Sequence, residues 1–501
     1  MWSEMDWIES RARLTPDDIA VVDGDTGTEL TYLGLHNQAL KWAMFFKTKG
    51  VKKGDRICLV SENDPIFFEV LFGCAKIGAI FVPLNWRLSE AELEHIVMDC
   101  SPSLMLYSAD FEPIAKSLSM LIETISIEQN RLDSFNEDII LIQEDIFEKD
   151  PWMMIYTGGT TGKSKGVVLS YQSVNWNAVN TIISWGLNKE DKTLTYLPLF
   201  HTGGINALSI PILMAGGKVV IGRRFTPEAA IAHLNKHQIT IALFVPTMYH
   251  MMIQSEGFSR TSFDSMKVFL SGGAPCPLSI YEFFAGKGLA FKEGYGLTEA
   301  GPNNFYIDPK IANEKRGSVG KAMVFNSIKI IDPNGKEAKS GQVGELLIRG
   351  KHVFSCYWNN EEETLRTVKG GWLHTGDLAR KDEDGYIYIV GRKKDMIITG
   401  GENVYPLEIE HWLCEHPMVD EAAVIGIPDE KWGEKVTAFL TTKGNKKCEV
   451  DVIQRHCLRK FKNFKMPKDF VFVEELPKTH VGKIDKKSLK SLWYMKGNTI
   501  M

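Results

Sequence analysis

The sequence predicts an α/β protein: a large N-terminal domain of stacked parallel-sheet βα layers with a small antiparallel barrel-like part, then a small α+β C-terminal domain. Three observations carry this. Helix-like and strand-like segments alternate through the first half, which implies βαβ units and parallel sheets. A hairpin texture appears near Arg316–Arg349. Beyond Arg392–Asp395 a fresh set of helices and strands begins, so the expected domains are 1–392 and 393–501.

The elements follow in order. Leu35–Lys49 has the apolar spacing of an amphipathic helix, and Arg56–Ser61 reads as a buried strand. Ile66–Ile77 reads as a helix and Ala79–Leu84 as a strand, joined at Gly78. Asp332-Pro333-Asn334-Gly335 is a turn between the strands Ser327–Ile331 and Gly344–Arg349. Asp382-Glu383-Asp384-Gly385 is a second turn, before the strand Tyr386–Val390. The C-terminal part should hold helices at Pro406–His416 and Asp451–Phe461 and strands at Glu421–Ile425, Val436–Thr441 and Phe470–Val473.

With 501 residues the chain can bury a large core and should form at least two domains. Its 44% hydrophobic and 24% charged residues are ordinary for a soluble globular protein. A net charge of −5 speaks against a nucleic-acid partner, which would favour a basic face. The eight cysteines are scattered, as neither a disulfide framework nor a zinc site would be, and fit a reduced cytoplasmic protein. The acidic start Met1–Asp6 lacks a signal-peptide pattern. The most apolar stretch, Ile66–Leu84, is interrupted by Glu69 and Lys76 and reads as a buried helix and strand, not a membrane span. Peripheral membrane contact and a homodimer are both compatible with this composition.

The chemistry concentrates in Thr157-Gly158-Gly159-Thr160-Thr161-Gly162-Lys163-Ser164-Lys165-Gly166. Glycines let backbone N–H groups turn inward on a phosphate, threonine hydroxyls add donors, and lysines add charge. The ordinary P-loop places four residues between its first glycine and Gly-Lys. Here Gly158 and Gly162 enclose only three, and Thr157 stands where that glycine would be.

Further strings follow: Glu293-Gly294-Tyr295-Gly296-Leu297-Thr298-Glu299, Gly371-Trp372-Leu373-His374-Thr375-Gly376-Asp377, Gly391-Arg392-Lys393-Lys394-Asp395 and Pro477-Lys478-Thr479-His480-Val481-Gly482-Lys483. In this order, from Trp7 to Leu489, they resemble the adenylate-forming superfamily of acyl-CoA synthetases, luciferases and peptide-synthetase adenylation domains.

That resemblance implies two half-reactions. A carboxylate attacks the α-phosphate of ATP to give an acyl-adenylate, and coenzyme A then displaces AMP to give a thioester. It implies roles as well. Lys483 would stabilise charge growing on the α-phosphate. Thr157, Gly158, Gly159, Thr160, Thr161, Gly162 and Lys165 would hold the other phosphates. Glu299, with Thr157, would bind Mg²⁺, and Thr298 would contact phosphate. Asp377 would accept the ribose hydroxyls and Arg392 would donate to them. Gly272, Gly273, Ala274, Gly294 and Tyr295 would wall the adenine. Lys394 would be the hinge of a mobile C-terminal domain that swaps Lys483 for the loop around Gly401. Trp432, Phe464 and Lys468 match coenzyme A contacts of some aryl-CoA ligases, although Met466 replaces one basic position; Trp432 could equally be a half-buried core residue. The usual phosphate loop carries serine and proline where Gly158 and Ser164 stand, which removes a hydroxyl and adds flexibility.

At the acyl end, His201 resembles the residue at the pocket mouth, and it could equally be structural. Acetate-type members carry tryptophan where this chain has Gly296, so Gly296, with Gly203 and Gly204, is expected to open space. Phe200, Ile205, Leu208 and Leu297 would line an apolar slot. A medium- or long-chain fatty acid is the favoured substrate, with an aryl acid (benzoate, cinnamate or o-succinylbenzoate type) as the alternative. Loading of a carrier-protein phosphopantetheine, a luciferase-like oxygenase and a non-catalytic nucleotide-binding regulator are the other readings. The last would require loss of Lys483 or Glu299, and both are present.

Overall fold

The computed structural model describes residues 5–128, 132, 145–158, 164–445, 448–461, 463–479 and 483–496. Two largely parallel sheets lie at its centre. One runs, in spatial order, Phe291–Glu293, Val268–Ser271, Ile241–Phe244, Lys192–Thr195, Lys218–Ile221, Ile19–Asp23 and Glu29–Thr31, with only the last pair antiparallel. The other runs Cys356–Tyr357, Lys165–Ser170, Pro151–Thr157, Ile80–Pro83, Arg56–Val60, Leu104–Tyr107 and Thr124–Ser126. Its first two pairings are antiparallel and the rest parallel.

The expected Ile66–Leu84 arrangement is what forms. Helix Ile66–Ile77 ends at Gly78, whose φ of 69° suits glycine, and the strand Ile80–Pro83 follows. Lys76 and Glu69 are tolerated inside because each is paired. Lys76 donates to Asp6 at 2.6 Å, and Trp42 donates to Glu69 at 3.2 Å. Helices Tyr32–Thr48 and Ile66–Ile77 approach closely: a Cβ on Gly73 would lie 2.8 Å from that of Trp42. Trp42, Phe46, Phe67, Phe68, Trp152 and Tyr171 fill this core, and Trp152 stacks on Tyr171 at 5.0 Å. Each such buried ring contributes about 1.5–3 kcal/mol relative to exposure.

A third, antiparallel sheet orders Phe305–Tyr306, Ser318–Ala322, Ile387–Arg392, Trp372–Lys381, Gly344–Arg349 and Ser327–Ile331. The hairpin Ser327–Ile331 with Gly344–Arg349 has the bounds read from the sequence. A fourth sheet holds Glu402–Val404, Ile397–Thr399, Gly433–Thr442, Val419–Asp429 and Asp469–Phe472. Helices Pro406–Cys414 and Val450–Leu458 cover one face of it and Lys486–Lys496 the other, each over its own apolar cluster. Lys394 sits in the short turn Lys393–Asp395 that joins the third sheet to the fourth. Among the described residues no helix is long and apolar enough to cross a membrane.

Candidate active site

Ligands of open α/β sheets gather at the carboxyl ends of parallel strands. Val268–Ser271 and Phe291–Glu293 are parallel neighbours at the edge of the first sheet, so the residues that follow them meet. Gly272 and Gly294 face each other as bare backbone: a Cβ on Gly272 would lie 3.9 Å from the Gly294 carbonyl oxygen and 3.2 Å from Leu243. The Gly294 N–H donates to the Ser271 carbonyl at 2.8 Å. Gly273 has φ of 80°, and Ala274 follows it in the same loop. Buried Glu293 ties the two strand ends together, accepting from the Cys276 N–H at 3.2 Å and the Tyr281 hydroxyl at 3.1 Å. Sequence reasoning missed this residue, because its partners lie on a different strand end and helix.

The third sheet brings charge to the same place. Asp377 and Arg392 are cross-strand partners, and the guanidinium Nε lies 2.8 Å from Asp377 Oδ1. The Tyr295 hydroxyl donates to Asp377 Oδ2 at 2.5 Å, and the Asp377 N–H donates to Thr375 Oγ1 at 3.0 Å. Asp377 is 4% exposed. Burial pushes its carboxyl up from the ordinary value, against the pull of Arg392, Tyr295 and Lys483. Both carboxylate oxygens thus already hold protein donors, and a ribose would share or replace them.

Lys483 reaches this cluster from the C-terminal part. Its N–H donates to Thr479 Oγ1 at 3.2 Å and its carbonyl accepts from the Thr479 N–H at 2.7 Å, which closes the end of the loop. Burial of the ammonium and the charge of Arg392 lower its pKa, while Asp377 and Glu299 raise it. Its preceding residues His480, Val481 and Gly482 lie outside the described residues.

The same ammonium is felt by His201, whose pKa falls to about 4, first through burial and then through Lys483. His201 is therefore neutral at physiological pH. Its Nδ1 accepts from the Gly203 N–H at 3.3 Å, capping the turn Thr202–Gly204, so the ring proton sits on Nε2 and can be donated. This geometry joins the two readings of His201: it is a structural cap, and its Nε2 has no partner among the described residues.

Glu299 lies in the short turn Thr298–Ala300, with Thr298 buried beside it. The Tyr357 hydroxyl donates to Glu299 Oε1 at 2.8 Å, and Oε2 has no donor among the described residues. One free carboxylate oxygen fits Mg²⁺, which is commonly held by one or two carboxylates plus substrate phosphates and keeps its waters. Thr157 and Lys165 are paired at the ends of Pro151–Thr157 and Lys165–Ser170, so the phosphate-type loop joins two antiparallel strands. Gly158 has nothing within 4 Å of an added Cβ, while Gly159, Thr160, Thr161 and Gly162 lie outside the described residues. Lys165 donates to Glu363 Oε1 at 2.5 Å and lies 5.2 Å from the Tyr357 ring centre. Tyr357 and Glu363 were also missed; a helix start at Asn360–Glu363 was readable, but not its contact with Lys165.

In the fourth sheet Gly400 and Gly401 turn Ile397–Thr399 into Glu402–Val404 with φ of 61° and 84°. Trp432 packs on this turn, and its carbonyl accepts from the Gly400 N–H at 2.8 Å. Trp432 is 38% exposed and stands outside the core, which removes the core reading of it. The Lys468 ammonium lies 5.8 Å from its ring centre, and Phe464 packs on the core beneath.

The acyl-end expectation requires a correction. A Cβ on Gly296 would lie 2.2 Å from the carbonyl carbon of Pro302, and one on Gly204 2.3 Å from the Pro198 carbonyl oxygen. Both glycines permit close backbone approach and neither leaves a side-chain-sized opening. Only Gly203 has room, with neighbours at 3.6 Å. Phe200, Ile205 and Leu208 are buried in the main core, with Leu297 packed against it.

The sequence pattern of the AMP-binding enzyme family matches residues 8–358, and that of the AMP-binding enzyme C-terminal domain matches 408–483. A feruloyl-CoA synthase from Amycolatopsis sp is 34% identical over 96% of this chain and 97% of the relative. A long-chain-fatty-acid–CoA ligase of Mycobacterium tuberculosis is 31% identical over 96% and 97%. The structure of o-succinylbenzoate CoA synthetase from Bacillus subtilis with its acyl-adenylate intermediate superposes with a TM-score of 0.89, at 30% identity and 97% coverage of both chains. The chain belongs to the AMP-binding enzyme family and, within it, to the ATP-dependent acid–thiol ligases.

Proposed function

We propose that this chain joins an aromatic carboxylic acid to coenzyme A through an acyl-adenylate. The observation that carries the two-step chemistry is the buried Asp377 held between Arg392 and the Tyr295 hydroxyl, with the charge of Lys483 acting on that cluster and on His201. Two anions, a carboxylate and ATP, must meet before they react. An ammonium and a neutral N–H donor that act on the same site supply what that encounter lacks.

In this reading Asp377 and Arg392 hold the ribose, and Gly272–Ala274 with Gly294 and Tyr295 flank the base. His201 Nε2–H orients the acid, and Lys483 stabilises the charge that develops as a carboxylate oxygen bonds to the α-phosphorus and pyrophosphate leaves. Glu299 would hold the Mg²⁺, which when bound would partly neutralise the phosphates. For the second step the coenzyme A thiol bonds to the acyl carbon and AMP leaves. Trp432, Gly401, Phe464 and Lys468 form the surface we assign to coenzyme A, with Lys394 as the joint about which residues 393–501 turn relative to 1–392.

Two points favour an aromatic over a fatty acid. The close backbone contacts at Gly296 and Gly204 remove the open space expected for any larger acid, and they weigh most against a long flexible chain. A feruloyl-CoA synthase is also among the similar relatives. The test is coenzyme-A-dependent pyrophosphate release across paired aromatic and C6–C16 aliphatic acids. An aromatic acid should lead in kcat/KM; an aliphatic lead would reject the substrate class.

A further inference from the structure

Behind His201 the chain enters the interior through a π-helical turn, Ile205–Ser209, a geometry often found at functional sites. Asn206 in that turn and Asn177 on the helix Tyr171–Trp185 are each 2% exposed. The Asn177 Nδ2 donates to the Asn206 carbonyl at 2.8 Å, and this contact fixes the amide's orientation. The Asn206 Nδ2 donates to Thr202 Oγ1 at 3.1 Å and touches Met153 Sδ at 3.7 Å. With both amides so oriented, Asn177 Oδ1 and Asn206 Oδ1 are buried acceptors without a donor among the described residues. Buried polar atoms are nearly always hydrogen-bonded, so two adjacent exceptions call for an explanation.

Their place supplies one. Thr202 directly follows His201, so Asn206 stands about a turn and a half further in, roughly 6–8 Å at the rise of a helix. The loop after Glu299 packs against Asn177 and would form the opposite wall. A Cβ on Gly301, whose φ is 66°, would fall 2.6 Å from Asn177 Oδ1. Asn303 on the same loop donates to Ala207 O at 2.6 Å and Thr181 Oγ1 at 3.0 Å, which closes the wall. Resting on the aromatic-acid reading above, we propose that Asn177 Oδ1 and Asn206 Oδ1 are an acceptor pair for the far end of the acid. The acid then carries a hydrogen-bond donor, a hydroxyl or ring N–H, about one aromatic ring away from its carboxylate end.

The experiment compares 4-hydroxycinnamate with 4-methylcinnamate, which has nearly the same shape and no donor, in coenzyme-A-dependent pyrophosphate release by the full-length enzyme. The hydroxy acid should lead by roughly 10- to 100-fold in kcat/KM, because the methyl acid leaves buried acceptors unmet. Asn206→Leu and, separately, Asn177→Leu should shrink that ratio towards one, with folding checked by thermal melting. The wild-type ratio decides even where a variant melts early. Equal rates for the two acids would overturn the acceptor pair and leave the aromatic reading standing. Turnover of aliphatic acids with none of either cinnamate would overturn both.

Discussion

At the nucleotide end of the cleft, Asp377, Arg392, Tyr295 and Lys483 meet as charged and hydroxyl groups carried on strands and on the loops that follow them. At the acid end, Asn177, Asn206 and Asn303 meet inside packed helices and a buried loop. Both ends bury polar groups. The first pairs its charged groups within the protein and leaves one hydroxyl, Ser271 Oγ, without a partner among the described residues, whereas the second leaves two amide acceptors open among them. The difference separates a fixed task from a variable one. Every member of such a family must bind the same nucleotide, so its contacts can be complete in advance. The acid varies, and under the proposal above its partners are completed only by the right substrate.

The largest expected effect lies where the two ends meet. Lys483→Ala should slow acyl-adenylate formation roughly 10²–10³-fold, or about 3–4 kcal/mol, the usual cost of one oxyanion-type donor. Thioester formation from preformed acyl-adenylate should be spared. Pyrophosphate exchange with ATP measures the first step and stopped-flow thioester appearance the second. Equal losses in both would place Lys483 in structure and not in chemistry.

Next in size is Gly296, which directly follows Tyr295 in the chain. Its would-be Cβ meets Pro302 backbone at 2.2 Å, and backbone cannot rotate away. Gly296→Ala should cost about 1–3 kcal/mol of stability, as overpacking does, without changing the ranking of acids by size. Denaturant midpoints and the acid panel read the two quantities separately. A switch towards acetate at unchanged stability would restore the open-space reading.

The same two ends explain what the sequence could convey. Asp377, Arg392 and Lys483 were legible because each sits in a short string whose residue types and spacing serve one chemistry. The hairpin Ser327–Gly335–Arg349 was legible from its turn residues. Gly296 was misread because a glycine that leaves room and one that admits a neighbouring backbone look identical in sequence. Their difference lies in Pro302, which a local turn brings back onto it. Asn177 and Asn206 gave no signal, since 29 residues separate them and asparagine is common on surfaces. Glu363 gave none either, because its ion pair with Lys165 spans 198 residues.

Lys292 tests the rule that buried groups near the nucleotide end are paired. It precedes Glu293 on the edge strand, is 3% exposed, and lies 4.1 Å and 4.5 Å from the ring centres of Trp185 and Tyr306. No carboxylate among the described residues lies within ion-pairing distance of it. Burial lowers its pKa to about 7, against the pull of Asp308. The unfolded chain therefore binds one more proton between pH 7 and the ordinary lysine value, and wild-type stability should rise with pH across that window. Lys292→Met removes this titration. Its stability advantage should be greatest at or below pH 7 and should shrink by about 1.4 kcal/mol for each pH unit above. Urea midpoints at pH 6, 7, 8 and 9 give the difference directly. A constant difference would mean that the two rings keep the ammonium charged.

The smallest effect concerns Glu363, and its direction is the informative part. Lys165 cannot give its full charge to a phosphate while it donates to Glu363 at 2.5 Å, so in this arrangement the carboxylate competes with ATP. Both side chains keep partial contact with water, and such pairs contribute about 0.2–1 kcal/mol. Removing the competitor can therefore strengthen ATP binding by no more than about that amount, at most roughly fivefold in KM. Glu363→Gln keeps the shape of the side chain and an oxygen for Lys165 while deleting the charge. The expected result is a two- to fivefold lower KM for ATP at unchanged KM for the acid, which would confine the effect to the nucleotide end. A KM for ATP raised tenfold would mean the opposite: that Glu363 aims Lys165 at the phosphates and that the pair is part of the completed site.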